Sequence, residues 1–176
     1  TLSSSSAASD VYKRQVLSLA DVNEKEVLDI GAGPLAIMAV QDYDCFVTSI
    51  DLDTDKLAEF EGLAADAGVA EKISFEVADA SDLPYCDDAF DIGICFGALH
   101  HVPVERREQV ISELARVSYE RFVIAEFTPA GFAELHGGDA FTPVDLAELE
   151  RLLKGMGNVS VHQVGKMAVY VFDKTC

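Results

Sequence analysis

Two glycines and one carboxylate have the spacing of a nucleoside-binding turn. Gly31 and Gly33 directly follow the apolar run Glu26–Ile30, and Asp51 stands twenty residues after Gly31, at the end of a second β-branched run. Glycines after a buried strand let the backbone turn sharply and let a ligand approach the amides. A carboxylate at the end of the next strand can accept hydrogen bonds from a ribose diol. Each signal alone also fits a structural turn or a solvated acid, but together they favour a nucleoside ligand.

A phosphate ligand is less favoured at this turn. The segment lacks the lysine of a P-loop, and Leu35 replaces the third glycine of the dinucleotide fingerprint. No basic residue stands near the turn in sequence to meet a pyrophosphate. A nicotinamide-dependent oxidoreductase needs a small residue at position 35 and therefore fits the sequence poorly.

Histidines and a strand-end acid are the other candidates for chemistry. His100 and His101 follow the fourth predicted strand, where one can act as a general base or simply pack and form hydrogen bonds. Glu126 closes the fifth predicted strand, where it either faces an acceptor pocket or is a capping or solvated acid. His136 and His162 lack a partner at metal-ligand spacing, so we expect no metal site.

Alternating strand and helix signals position these residues. The predicted strands are residues 26–30, 46–50, 73–78, 91–96, 121–127, 159–164 and 167–172. The predicted helices are residues 34–40, a helix capped by Asp53 that runs to Ala67, residues 105–117, and a last helix that starts at Thr142 and Pro143 and stops near Gly155 or Gly157.

The order of these elements predicts the fold class. Five strands separated by helices or long connections imply an α/β fold with a parallel, doubly wound sheet. The short link Gly165-Lys166 between the last two strands predicts an antiparallel pair. Ligands of such sheets bind beyond the carboxyl ends of the strands, so the strand-end residues are the informative ones.

Four stretches resemble, in order, the motifs of class I S-adenosylmethionine-dependent methyltransferases of the small-molecule type. Residues 27–33 (VLDIGAG) are similar to the first motif and residues 47–51 (VTSID) to the second. Residues 77–80 (VADA), followed by LPY and FD, are similar to the stretch that encloses the adenine, and residues 96–102 (FGALHHV) to the fourth motif. The resemblance implies a Rossmann-like doubly wound sheet of seven strands, mostly parallel with an antiparallel last strand.

The resemblance implies S-adenosyl-L-methionine as the cofactor. The residues that it places at the cofactor are Asp29, Gly31, Ala32, Gly33, Asp51, Leu52, Asp79, Ala80, Phe96 and Gly97. In the family, Asp29 stands where the ammonium group is often held, Asp51 binds the ribose, Asp79 accepts from the adenine amino group, and Phe96 lies near the transferred methyl group. Leu35 stands where the common family pattern has glycine, so the first helix is expected to start differently around the cofactor.

A small molecule is the expected methyl acceptor, with a protein side chain less favoured. The fourth motif lacks the N/D-P-P-Y/W signature of methylation on base amino groups. The sequence has 31 acidic and 13 basic residues and a net charge of −18, which repels phosphate backbones and anionic lipid. We therefore expect neither nucleic acid nor a membrane as partner. The alternative is a catalytically inactive protein of this type that binds the cofactor or a partner without turnover.

Residues 1–15 (TLSSSSAASDVYKRQ) are expected to stand apart from the domain. Residues 5–15 resemble the in-frame translation of a sequencing-library adapter, which implies that the true start is missing. We predict an artefactual or disordered leader over residues 1–15 and a methyltransferase domain over residues 16–176. The cysteines show neither metal spacing nor a dense disulfide pattern, which predicts reduced thiols in a cytoplasmic protein. They are Cys45, Cys86, Cys95 and Cys176.

Overall fold

The computed structural model describes residues 4–138 and 140–174. The strands are β1 (Glu26–Ile30), β2 (Phe46–Asp51), β3 (Ile73–Val77), β4 (Phe90–Phe96), β5 (Ser118–Phe127), β6 (Asn158–Val164) and β7 (Met167–Asp173). The helices are α1 (Ser4–Ala20), α2 (Pro34–Asp42), α3 (Thr54–Asp66), α4 (Val104–Val117), α5 (Pro129–His136) and α6 (Leu146–Met156), and a 3₁₀ turn covers Leu99–His101. All seven predicted strands are therefore present, with β5 beginning earlier than predicted.

The seven strands form one sheet in the order β3-β2-β1-β4-β5-β7-β6. Strands β1 to β5 pair in parallel, whereas β7 is antiparallel to both β5 and β6. Gly165 has a φ of +58° in the two-residue link between β6 and β7, where Val164 pairs with Met167. The predicted α/β fold, a doubly wound sheet with an antiparallel last strand, is confirmed.

Alternate residues of the strands face two different helical layers. Val27 belongs to a buried cluster that includes residues of α1 and α2, and Leu28 to a second cluster that includes residues of α4 and α6. This is the period of two that a strand imposes on its side chains. Because both faces of the sheet are covered, the carboxyl ends of β1, β2 and β4 are held in fixed relation to one another.

Helix α1 crosses the boundary predicted at Val16. Residues 4–15 of the predicted artefactual or disordered leader lie in this helix, and the division of the chain at residue 16 stays a prediction. Tyr12, Val16 and Leu17 all pack in the α1–α2 cluster. Burial of this helical face compensates for the weak helix propensity of the serines. Residues 1–3 lie outside the described residues, and the adapter origin of residues 5–15 stays a prediction.

Two helices near the end of the chain differ from the expectations. Helix α5 is not predicted, although Thr128 caps it by accepting a hydrogen bond from the Gly131 amide at 3.3 Å. The predicted start of the last helix at Thr142 is wrong. Asp145 is the cap of α6, since its side chain accepts from the Glu148 amide at 3.1 Å. The Thr142 carbonyl instead accepts a hydrogen bond from Arg107 Nη2 at 2.6 Å, and residues 141–145 have no regular secondary structure.

The described part of the chain contains no helix with the length and apolar character that crossing a bilayer requires. Cys45, Cys86 and Cys95 are free, as predicted, and Cys176 lies outside the described residues. The cytoplasmic location stays a prediction.

Candidate active site

A cavity of about 580 Å³ opens beyond the carboxyl ends of β1, β2 and β4. Every residue that the resemblance assigns to the cofactor lines it, namely Asp29, Gly31, Ala32, Gly33, Asp51, Leu52, Asp79, Ala80, Phe96 and Gly97. His101 also lines this cavity, whereas His100 is not among its lining residues. Parallel strands bring these positions together because their carboxyl ends meet at one edge of the sheet.

The turn between β1 and α2, here called the glycine turn (residues 31–33), is tied to Asp51. Gly31 has a φ of +93°, a left-handed conformation that favours glycine. The Ala32 amide donates to Asp51 Oδ2 and the Asp53 amide to Asp51 Oδ1, each at 3.0 Å. A carboxylate has about four acceptor sites, so Asp51 can bind a diol while it holds the turn.

Asp29 is a buried acid that lines the cavity. Its side chain accepts a hydrogen bond from Ser49 Oγ at 2.9 Å, and the residue is 2% exposed. Burial raises the pKa of Asp29 to about 7, and the hydrogen bond from Ser49 opposes this rise only in part. A cation bound next to Asp29 favours the ionised carboxylate, so this position suits an ammonium group at neutral pH.

Asp79 presents an ionised carboxylate at the opening of the cavity. Ser81 Oγ and the Ser81 amide donate to Asp79 Oδ1 at 2.7 and 2.9 Å, and Arg106 Nη1 lies 3.3 Å from Asp79 Oδ2. The hydrogen bonds from Ser81, assisted by the Arg106 charge, hold the pKa of Asp79 below its usual range. An ionised carboxylate only accepts hydrogen bonds, which suits an exocyclic amino group as partner.

Basic side chains reach the cavity from elements distant in sequence. Lys13, Lys56 and Arg106 all line it, although no basic residue stands near the glycine turn in the sequence. Lys13 of α1 is buried, and its Nζ lies 5.7 Å from the centroid of the Phe96 ring. Burial lowers the pKa of Lys13, and Asp10 opposes this shift. Sequence reasoning misses Lys13 because it sets residues 1–15 apart, although Tyr12, Val16, Leu17 and Ala20 carry a helical period.

A buried pair, Glu126 and His100, lies beside His101. The Glu126 carboxylate accepts from the His100 amide at 3.0 Å and from the Phe127 amide at 3.1 Å. Both of its oxygens also lie 3.1 Å from His100 Nδ1. The side chains of His100 and Glu126 are 1% and 0% exposed. Glu126 is therefore not a solvated acid, and it is not among the residues that line the cavity. Its carboxylate orients the His100 ring.

The second ring nitrogen of His100 contacts His136. His100 Nε2 lies 2.9 Å from His136 Nε2. His136, which has no partner at metal-ligand spacing in the sequence, therefore has one in the fold. The two histidines are 36 residues apart, and α5, which carries His136, is not predicted. No ligand spacing in the sequence could have revealed this contact.

Of the two histidines predicted as a general base, His101 is the one that lines the cavity. Its ring centroid lies 4.3 Å from that of His100 and 4.4 Å from that of Phe141. Local desolvation, followed by the neighbouring His100, lowers the pKa of His101 below its ordinary value. A neutral ring at neutral pH has a lone pair that can take a proton from an acceptor.

Leu35 packs in the hydrophobic cluster between α1 and α2 and is 4% exposed. It also lines the cavity, one residue after Pro34 at the first position of α2. The residue that departs from the family pattern therefore contributes to the core as well as to the wall of the site.

A family model described as "Methyltransferase domain" matches residues 27–120, more than half of the chain. Ajmaline N-methyltransferase from Rauvolfia serpentina is 32% identical over 96 residues, which are 53% of this chain and 32% of that protein. The 27-O-demethylrifamycin SV methyltransferase from Amycolatopsis mediterranei (strain S699) is 38% identical over 94 residues, which are 52% of this chain and 34% of that protein. The chain thus spans about a third of the length of these curated relatives.

Solved structures share the fold at low sequence identity. The PH0226 protein from Pyrococcus horikoshii OT3 has a TM-score of 0.80 at 16% identity, covering 99% of this chain and 93% of its own. The magnesium protoporphyrin IX methyltransferase from Synechocystis PCC 6803, solved with bound SAH, has a TM-score of 0.74 at 18% identity, covering 99% and 89%. Structural likeness at this level of identity shows the fold but not the family. Because the family model matches more than half of the residues, the chain belongs to the class I S-adenosylmethionine-dependent methyltransferase family.

Proposed function

We propose that the chain transfers the methyl group of S-adenosyl-L-methionine to a small-molecule acceptor. The observation that carries this proposal is the single cavity lined by all ten residues that the family motifs assign to the cofactor. The chemistry of the lining supports the fit. Asp29, Asp51 and Asp79 in the lining suit a cationic ligand. A positive group next to Asp29, whose pKa is about 7, would favour its ionised carboxylate.

Each part of the cofactor has a partner of suitable chemistry in this proposal. Asp29 binds the ammonium group, and the amides of the glycine turn face the amino-acid part. Asp51 accepts hydrogen bonds from the ribose hydroxyls, Asp79 accepts from the adenine amino group, and the Ala80 amide donates to the adenine ring. Phe96 lines the side of the cavity where the methyl group is transferred. The sulfonium supplies an electrophilic methyl carbon, so the protein's main tasks are alignment and exclusion of water.

His101 is the proposed general base. In the proposed methyl transfer, a lone pair of the acceptor forms a bond to the methyl carbon while the carbon–sulfur bond breaks and its electrons go to sulfur. The acceptor's proton passes to a ring nitrogen of His101, which faces the cavity and has a lowered pKa. His100 has both ring nitrogens engaged, by Glu126 and His136, so it acts as a positioning residue.

The small-molecule class of acceptor is supported by the relatives. Ajmaline N-methyltransferase and 27-O-demethylrifamycin SV methyltransferase are both named for small molecules, one methylated at nitrogen and the other at oxygen. The net charge of −18 argues against nucleic acid and anionic membranes as partners. A cytoplasmic location belongs to the same proposal and rests on the free thiols of Cys45, Cys86 and Cys95.

The test is transfer of a ¹³C-labelled methyl group from S-adenosyl-L-methionine to a panel of small-molecule amines and hydroxyl compounds, measured in the presence of a chelator. We expect a labelled product together with S-adenosylhomocysteine. His101→Ala should lower the transfer rate by about 10²–10⁴-fold while cofactor affinity is kept. His162→Ala is the matched control, because His162 lies on β6 and hydrogen-bonds Ser160. Cofactor binding without acceptor-dependent transfer would instead identify the inactive alternative.

A further inference from the structure

Three histidines from two elements bring ring nitrogens close together. His100 and His101 lie in the 3₁₀ turn after β4, and His136 lies in the last turn of α5. One ring nitrogen from each of the three lies within 4.8 Å of the others. This group, here called the histidine cluster, adjoins the cavity because its member His101 is one of the lining residues. Imidazole nitrogens are the ligands that zinc and neighbouring transition metals favour in proteins.

Glu126 determines which ring nitrogen of His100 carries the proton. Both of its carboxylate oxygens face His100 Nδ1 at 3.1 Å, so Nδ1 carries the proton and donates it. In the tautomer protonated at Nδ1, the lone pair of His100 lies on Nε2, which is directed at His136. A carboxylate that orients a histidine through its far nitrogen is the arrangement found behind metal-ligating histidines. The carboxylate is itself fixed by the amides of His100 and Phe127.

The distances in the histidine cluster fit a metal ion after a small rearrangement of the three rings. His100 Nε2 and His136 Nε2 are 2.9 Å apart, joined by a hydrogen bond. Two nitrogens bound to zinc at about 2.0–2.1 Å with a tetrahedral angle lie about 3.3–3.4 Å apart. The pair of Nε2 atoms has to open by a few tenths of an ångström, whereas ring nitrogens of the cluster that lie up to 4.8 Å apart have to approach by up to about 1.4 Å. Such a movement is modest because His136 lies in the last turn of α5, followed by Gly137 and Gly138.

Aromatic rings pack around His100, the buried member of the histidine cluster. Phe127, Phe132 and Phe141 all lie with their ring centroids 5.6 to 6.0 Å from that of His100. Arg107 ties the segment after α5 to the 3₁₀ turn, because its guanidinium donates to the carbonyls of both His100 and Thr142. These rings limit water access on the His100 side of the cluster, which strengthens the attraction between a cation and this ligand.

We propose that His100, His101 and His136 bind one divalent transition-metal ion of the zinc type, with Glu126 holding His100 in its ligating orientation. Three protein ligands leave a fourth position open, as in catalytic rather than structural zinc sites. The proposal stands on the geometry of the cluster and does not depend on the proposed methyl transfer. An ion here takes the lone pair of His101 that otherwise serves as base, so it would activate an oxygen acceptor by direct ligation instead.

The test is metal binding by the full chain, purified without a polyhistidine tag and stripped with a chelator. Zn²⁺ affinity is measured by calorimetry, and Co²⁺ serves as the spectroscopic probe of ligand type and geometry. We expect one ion per chain, visible d–d bands of a four-coordinate site, and no thiolate charge-transfer band. His136→Ala should lower Zn²⁺ affinity at least tenfold, and Glu126→Gln should lower it by about 10–100-fold.

His162→Ala is the matched control and should leave Zn²⁺ affinity unchanged within twofold. His136 is only half-buried at the end of α5, so its replacement is expected to leave the fold intact, as thermal melts of each variant will verify. Absence of Zn²⁺ binding by the original chain would overturn the proposal and leave a hydrogen-bonded cluster. Binding that His136→Ala does not weaken, or a cobalt spectrum dominated by thiolate, would overturn it equally.

Discussion

The carboxylate of Asp51 has two tasks, because it holds the amides of Ala32 and Asp53 and also lines the cavity. Asp51→Asn should lower affinity for S-adenosylhomocysteine by about ten- to a hundredfold. An amide nitrogen cannot accept hydrogen bonds from the ribose or the backbone, and a hydrogen bond to a charged group contributes roughly 1.5–3 kcal/mol. The measurement is titration calorimetry. Glu59→Gln removes the same charge on exposed α3 and is the control; equal affinities in both variants would remove Asp51 from the ribose role.

Asp29 makes stability depend on pH in a direction unusual for a carboxyl group. Its pKa is about 7 in the folded chain against 3.8 for the free group, so the folded state holds a proton that the unfolded state releases between these values. The stability contributed by this proton is full below pH 3.8 and is lost as the pH rises through about 7.

Asp29→Asn should therefore gain stability relative to the original chain as the pH rises. We expect the difference in melting temperature between the two proteins to shift in favour of Asp29→Asn between about pH 5 and pH 8, because the asparagine never has to ionise in the interior. Ser49 Oγ keeps a partner in the variant, since the amide oxygen accepts the same hydrogen bond. A difference that does not change with pH would contradict the raised pKa of Asp29.

At the scale of the elements, α1 is docked against the turn between β6 and β7. A Cβ at Gly165 would overlap the ring of Tyr12, and Gly165 also has a φ of +58°. Gly165→Ala should destabilise the fold by about 1–3 kcal/mol, since backbone strain and overpacking act together. In a Tyr12→Ala background the overpacking is removed and the cost should be smaller.

This double-mutant cycle is measured by urea denaturation. Gly155→Ala is the control, because Gly155 lies in α6 with no atom near its missing Cβ, and an alanine there should be neutral or slightly stabilising. Strictly additive effects of Tyr12→Ala and Gly165→Ala would show that α1 does not pack on this turn. The leader would then be separate from the domain, as the sequence predicts.

The strands follow from the sequence better than the helices do. Strand β1 is predicted to the residue, because its apolar run is buried on both faces and ends at two glycines. Helix α1 is missed because its polar serines hide a buried face, and burial is a tertiary property. The start of α6 is misplaced because Thr142 and Asp145 both have capping side chains, and the hydrogen bond from Arg107 to the Thr142 carbonyl joins residues 35 positions apart.

Local sequence patterns predict the cofactor residues of the site but not the contacts among its histidines. The cofactor residues follow from strand ends, since a parallel sheet gathers those ends at one edge, and all ten line the cavity. The contact between His100 and His136 depends on how α5 packs, and no local pattern encodes it. Glu126 is recognisable in the sequence as a strand-end acid, but its contact with His100 follows only from the pairing of β4 with β5.

At the scale of the whole molecule, the net charge of −18 and the acids around the cavity favour a cationic ligand over an anionic one. S-Adenosyl-L-methionine carries a sulfonium and an ammonium group, whereas a dinucleotide carries a pyrophosphate. The cavity also contains Lys13, Lys56 and Arg106, but Lys56 and Arg106 are already paired with Asp51 and Asp79. The charges of the site therefore favour the methyl donor over nicotinamide cofactors.

Titration calorimetry of the full chain with S-adenosylhomocysteine is the most direct test that this cavity is a methyl-donor site. We predict saturable binding of one ligand per chain, weakened at least tenfold in Asp51→Asn, and no detectable competition by NADH. Absence of binding, or tighter binding of NADH than of S-adenosylhomocysteine, would contradict the assignment of the cavity to a methyl donor.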